Sequence, residues 1–139
     1  MATTALEPRP RAAETEKLTI NLGVVDLGQI DLLVQEGFYS NRTDLIRTAI
    51  RNQLVSHGEE VKRTVARRTL VLGLQHLGRA ELERAAASGQ KLQIQVVGLA
   101  RIADDVSPDL ARATIQSVEV LGAFHASAAV RKALAGRIV

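Results

Sequence analysis

The stretch Lys17-Leu18-Thr19-Ile20-Asn21-Leu22 and, after it, Asn41-Arg42-Thr43-Asp44-Leu45-Ile46-Arg47 decide how this chain is read. The first alternates polar and apolar residues without a break, so Leu18, Ile20 and Leu22 lie on one face of a strand and Lys17, Thr19 and Asn21 on the other. Asp26 then stands three residues before Gln29, the spacing of a capping box, and Leu27, Ile30, Leu33 and Val34 recur at helical intervals until Gly37. Asn41 is a good N-cap, and Leu45, Ile46, Ala49, Ile50 and Leu54 form the apolar stripe of a second helix ending near Gly58. Residues 16–58 therefore predict strand, helix, turn, helix.

A single strand in so short a region cannot satisfy its own backbone or bury Leu18, Ile20 and Leu22 without a partner. The simplest partner is the same strand of a second copy. Two strands related by a two-fold axis make an antiparallel ribbon, with four helices over its apolar face and Lys17, Thr19 and Asn21 of both chains on the open one. A two-stranded ribbon fits the major groove of duplex DNA. On that face Lys17 can donate to guanine O6 or N7, Asn21 can pair with adenine N6 and N7, and the Thr19 methyl can rest on a thymine methyl. The unpaired N–H groups at the helix start around Asn41, Arg42 and Thr43 attract a phosphate oxygen, which positions the ribbon without choosing a sequence.

These residues carry a resemblance. KLTINL, a helix, and then GFYSNRTDLIRTAIRNQL resemble the ribbon-helix-helix family of prokaryotic DNA-binding proteins, the Arc, MetJ and CopG type, over about 40 of the 139 residues. The second-helix signature of that family is close to Ser-Arg-Ser-Glu, then apolar, Arg, x, Ala, apolar, Arg. Here Asn41, Thr43 and Asp44 replace the commoner Ser, Ser and Glu, and Arg42, Ile46-Arg47, Ala49-Ile50 and Arg51 follow in order. The resemblance implies a homodimeric regulator, commonly a repressor, that reads bases with Lys17, Thr19 and Asn21 and holds a phosphate at Asn41, Arg42 and Thr43.

Charge divides the chain unevenly. Residues 1–59 carry six basic and eight acidic side chains, and residues 60–139 carry twelve and seven. Within 17–57 the balance is four to four, which is neutral for a protein that binds phosphates. The densest basic run, Lys62, Arg63, Arg67 and Arg68, offers auxiliary phosphate contacts from a linker or helix over 59–67. Residues 1–15, with two prolines and no periodicity, read as a flexible arm. With 46% hydrophobic and 24% charged residues the chain is of globular type. No apolar run reaches the roughly 18 residues of a membrane span, and MATTALEPRPRAAETEK lacks a secretory signal's apolar stretch, so a cytoplasmic location away from membranes is expected. The absence of cysteine excludes disulfides, a thiolate nucleophile and cysteine-ligated zinc. Three aromatics, Phe38, Tyr39 and Phe124, are too few for base-stacking platforms, which favours duplex over single-stranded nucleic acid.

From residue 68 the texture changes. TLVLGLQHL, LQIQVVGLARI and VEVLGAFHA place Gly73, Gly98 and Gly122 at intervals of 25 and 24 residues, each after two apolar residues. Helix signals follow at Arg79–Ser88 after Gly78, at Pro108–Ala113 after the cap Ser107 and at Ala128–Leu134 after the cap Ser127. Three units of strand, bend, strand and helix fit this pattern, as a solenoid-like stack or a small α/β sandwich, with the glycines at bends, bulges or close backbone approaches. Stacking would bring His76, Arg101 and His125 into one column, a surface feature or an anion-binding row. His57 and the pair Asp104-Asp105 make no catalytic or metal-ligating constellation, and no phosphate-loop spacing occurs. The expectation is an α+β protein: an N-terminal ribbon-helix-helix dimer and a repeat-like C-terminal domain over 68–139 with three strand-helix units. It is not an enzyme, needs no cofactor or metal, and partners duplex DNA and its own copies, possible higher oligomers forming through 68–139. The other reading is an assembly, scaffold or antitoxin-type protein whose ribbon mainly dimerises and whose C-terminal domain self-associates or binds a protein.

Overall fold

In the computed structural model, residues 14–139 are described. The arm expected over residues 1–15 lies outside them except for its last two positions. The described chain forms two compact units, Glu16–Thr64 on the one hand and residues 14–15 together with 65–139 on the other.

The first unit, Glu16–Thr64, is helical. Helix α1 spans Val24–Gln35 and α2 spans Arg42–Ser56, and α3, Gly58–Arg67, runs across the division between the units. Gly37 adopts φ +84°, the left-handed conformation that ends a helix and that glycine takes without penalty. One local expectation is corrected: the N-cap of α1 is Gly23, and Asp26 stands inside the first turn. The helix runs three residues further back than the capping-box spacing implies, because Val24 and Val25 extend it, and Asp26 acts on the helix dipole instead. Gln29 turns its amide to the Val25 carbonyl at 3.4 Å. Residues 17–23 carry no strand pairing with other described residues.

The second unit is an α/β sheet domain in which helices alternate with parallel strands: β1 (Val71–Leu77), α4 (Arg79–Ala87), β2 (Leu92–Ile102), α5 (Pro108–Thr114), β3 (Ile115–His125) and α6 (Ala128–Ala133). The strand order is β1-β2-β3, all parallel. Parallel neighbours require crossovers, and the right-handed rule brings successive crossover helices to the same face. The packing agrees: Leu82 of α4, Ala111 of α5 and Val130 of α6 are buried in one cluster with Ile94, Val96, Ala100 and Ile102 of β2 and Val118 of β3. Ser107 and Ser127 cap α5 and α6, their hydroxyls accepting from the amides of Leu110 and Val130 at 3.1 and 3.2 Å. Pro108 at the first turn of α5 gives up an amide that would be unpaired there.

Each expected strand-bend-strand is one continuous strand. Gly73, Gly98 and Gly122 sit inside the strands, in register with one another, at φ +129°, +139° and +119°. The glycine takes up a backbone conformation that other residues rarely adopt, so the pairing passes through without a break. A Cβ on Gly98 would fall on the carbonyl oxygen of Gly73, and a Cβ on Gly122 on that of Gly98. The three residues thus form a column in which each backbone occupies the space of the next side chain. Past the third strand, a 3-10 turn (Ala135–Arg137) leads the chain back to β3, where Ile138 bridges Val118 in parallel and the Val139 amide donates to the Val118 carbonyl at 2.9 Å.

Candidate nucleic-acid interface

The start of α2 is the best-defined feature of the first unit. Asn41 is extended, with φ −166° and ψ 175°, and its side-chain oxygen accepts from the Asp44 amide at 2.8 Å. Asp44 returns the bond one residue earlier, its carboxylate accepting from the amide and the hydroxyl of Ser40, both at 3.0 Å. These bonds, the backbone one first, hold the Asp44 carboxyl below the usual carboxylate range. The first backbone bond of the helix runs from the Leu45 amide to the Asn41 carbonyl. The amides of Arg42 and Thr43 therefore point out of the helix end with no acceptor among the described residues, the arrangement that receives an anion at a helix N-terminus.

The Arg42 side chain has a different task. Its Nε and Nη2 donate to the two oxygens of Asp31 at 2.7 and 2.8 Å, a bidentate pair that fastens α1 to the first turn of α2. The pair pulls the Asp31 carboxyl down and pushes the Arg42 guanidinium up, with the hydrogen bonds as the main cause. At the helix start where the sequence places a phosphate, Arg42 thus presents its amide, while its charge is balanced by Asp31. Eleven residues separate the two partners, and no periodic signal in the sequence links them.

Lys17, Thr19 and Asn21 are exposed, and so are Leu18, Ile20 and Leu22 opposite them. This extends to the whole unit: no residue between 16 and 64 is buried. Leu18 is 82% exposed and Leu54 60%, and Leu33 and Ile50 are open as well. Of the basic cluster, Lys62 lies 3.7 Å from Glu59 one turn away on α3, and in the second unit Arg68 pairs with Glu119. Arg63 and Arg67 have no ion pair among the described residues and stay exposed. Of the two forms expected for 59–67, linker or helix, the structure takes the helix, and α3 sets these charges on a regular scaffold. At the end of α2, His57 Nδ1 lies 3.2 Å from Glu60.

On the sheet, His76, Arg101 and His125 are register neighbours, and Arg101 Nη2 is 3.4 Å from His125 Nδ1. A shallow depression of about 180 Å³ beside them is lined by Leu74, Leu99 and Glu14. The carboxylate gives it mixed charge and no clear preference for anions. No described helix is long and apolar enough to cross a membrane.

A capped second helix with free amides, an alternating segment before the first helix and an apolar set without cover characterise the first unit. A family model agrees, covering residues 13–131: the chain belongs to the Ribbon-Helix-Helix transcriptional regulator family. Searches among curated proteins and among solved structures returned no match.

Proposed function

We propose that this protein is a sequence-specific duplex-DNA-binding transcriptional regulator, acting as a repressor, in which residues 17–22 of two copies pair into an intersubunit β-ribbon that reads the major groove. The observation that carries the reading is the absence of any buried residue between 16 and 64. A unit of this size with Leu18, Ile20, Leu33, Ile50 and Leu54 open to water gains a core only from a partner, and a second copy supplies the same apolar set. In that dimer Lys17, Thr19 and Asn21 face the bases. The amides at Asn41, Arg42 and Thr43 hold a phosphate, and Lys62, Arg63, Arg67 and Arg68 add charge around the neutral reading unit.

Residues 68–139 form the oligomerisation or effector domain of this regulator. A segment that wraps a toxin is typically polar and folds on its partner, whereas this unit has its own core. The test is selection of sites from a random duplex pool by the full-length protein and by Lys17→Ala, at two salt concentrations. Enrichment of a two-fold-related motif that Lys17→Ala loses supports the reading. Weak binding without a motif, vanishing with salt, would reduce the ribbon to a dimerisation device.

A further inference from the structure

The two edges of the sheet fit one another. We propose that the free edge of β1 in one copy pairs in parallel with the free edge of β3 in another, in the register that continues the glycine column from Gly122 to Gly73 of the next copy. The inference rests on the reading of residues 68–139 as an oligomerisation domain and specifies its interface and its partner, a second copy of this chain.

Three observations carry it. The first is the column. Gly98 and Gly122 each receive the carbonyl of the preceding glycine where a Cβ would be, while Gly73 has the same backbone conformation and nothing within 4 Å of that position. The place that a preceding glycine carbonyl fills at β2 and β3 is open at β1, and the Gly122 carbonyl ends the column at the other side.

The second is length. Continuing the register sets Val71 of the next copy beside Val120, since both align with Val96, and the seven residues of β1 then run along 120–126. The earlier part of that edge is taken by Ile138, which bridges Val118, and further along the Phe124 carbonyl accepts from Arg131 Nη1 at 2.7 Å, a bond that pairing would exchange for a main-chain one. The stretch of β3 beyond this bridge matches the short strand and not the eleven residues of β2 or β3.

The third is burial along the rows. Val96 is fully buried, but its row neighbour Val71 is 45% exposed. On the opposite face Leu99 is 7% exposed and Leu74 61%, and Leu72 and Leu121 are 59% and 51% exposed. The open apolar residues belong to the edge strands, and edge pairing sets Leu121 beside Leu72 and Ala123 beside Leu74 of the next copy. An unprotected apolar edge is a template for strand addition. The contact is heterologous, one edge against a different edge, so it propagates into rings or open chains, in contrast to the two-fold ribbon. Neighbouring dimers on DNA would be joined by it through their high effective concentration.

The absence of cysteine makes the test clean. Full-length Leu74→Cys and Ala123→Cys, each bearing one thiol on the sheet face opposite the helices, are mixed and mildly oxidised. Register neighbours on adjacent strands lie about 4.8 Å apart, within disulfide reach. The expected product is the 74–123 heterodisulfide, absent when Ser117→Cys replaces Ala123→Cys. No adduct overturns the proposal, and so do 74–74 and 123–123 homodisulfides, which would mean that two copies meet through the sheet faces opposite the helices. As a second measurement, sedimentation of the wild-type protein at rising concentration should show species beyond the dimer, and Leu121→Lys should lose them. Wild-type species that stop at the dimer contradict edge pairing. Site selection from the duplex pool is run on the same proteins. Retained selection without the heterodisulfide sinks edge pairing alone, and a heterodisulfide without selection sinks the DNA reading alone.

Discussion

At the scale of single residues, two glycines and two surface side chains lead to opposite kinds of expectation. Gly98 combines φ +139° with a neighbour's carbonyl in its Cβ position, so Gly98→Ala faces both backbone strain and a clash with main chain. It should destabilise the second unit by more than about 3 kcal/mol, read as a large drop in the denaturant midpoint. Gly78→Ala, at φ −89° with open space around it, is the control and should change the midpoint little. Lys17→Ala and Asn21→Ala should leave folding intact and relax base preference by roughly 1–3 kcal/mol for each lost contact. Equal preference in wild type and both variants, measured on a panel of single-base site changes, would remove these residues from the reading face.

At the scale of the element, the start of α2 depends on side chains that give it both stability and shape. Asn41→Ala removes the cap and should cost about 1 kcal/mol, seen as a lower melting temperature. The folded carboxyls of Asp31 and Asp44 are held below their ordinary value of 3.8. Their contribution is therefore present above that value and fades as pH falls through the lower folded values. Melting curves from pH 7 down to pH 2.5 should show Asp44→Asn and Asp31→Asn less stable than wild type at neutral pH, with the gap closing below about pH 4. A gap that stays constant through the acid range would mean that the bonds to Ser40 and Arg42 are not what holds these carboxylates. Element starts were legible where chemistry is local: Asn41, Ser107 and Ser127 each cap the helix that follows. At α1 the same logic misplaced the start, because Asp26 with Gln29 also satisfies the spacing from inside the first turn. The bidentate pair of Arg42 and Asp31 was not legible, since it depends on how two helices meet and not on any periodicity.

At the scale of the whole molecule, the prediction concerns association. Ile20→Asp would put a carboxylate into the apolar face of the proposed ribbon and should abolish the folded dimer in sedimentation and circular dichroism. A folded, soluble dimer carrying that change would show that the strand face is misassigned. The intervals between Gly73, Gly98 and Gly122 in the sequence mark residues that the sheet brings side by side, and the apolar pairs before them mark strands. Those intervals do not reveal that each glycine lies within one unbroken strand, because a glycine in a strand pattern reads equally as a bend. The family was legible from some forty residues of the first unit.

The lack of a buried residue between 16 and 64 also bears on how such a regulator would respond to its own supply. If the reading unit is completed only by its twin, then at low expression the amount of competent reader follows the square of the number of chains made. Doubling gene dosage would about quadruple the reader, and a brief pause in synthesis would deplete it faster than the protein itself. Lone chains, with their leucines and isoleucines in water, would be the first to meet a protease. Occupancy of a target would thus switch over a narrow range of expression with no ligand required.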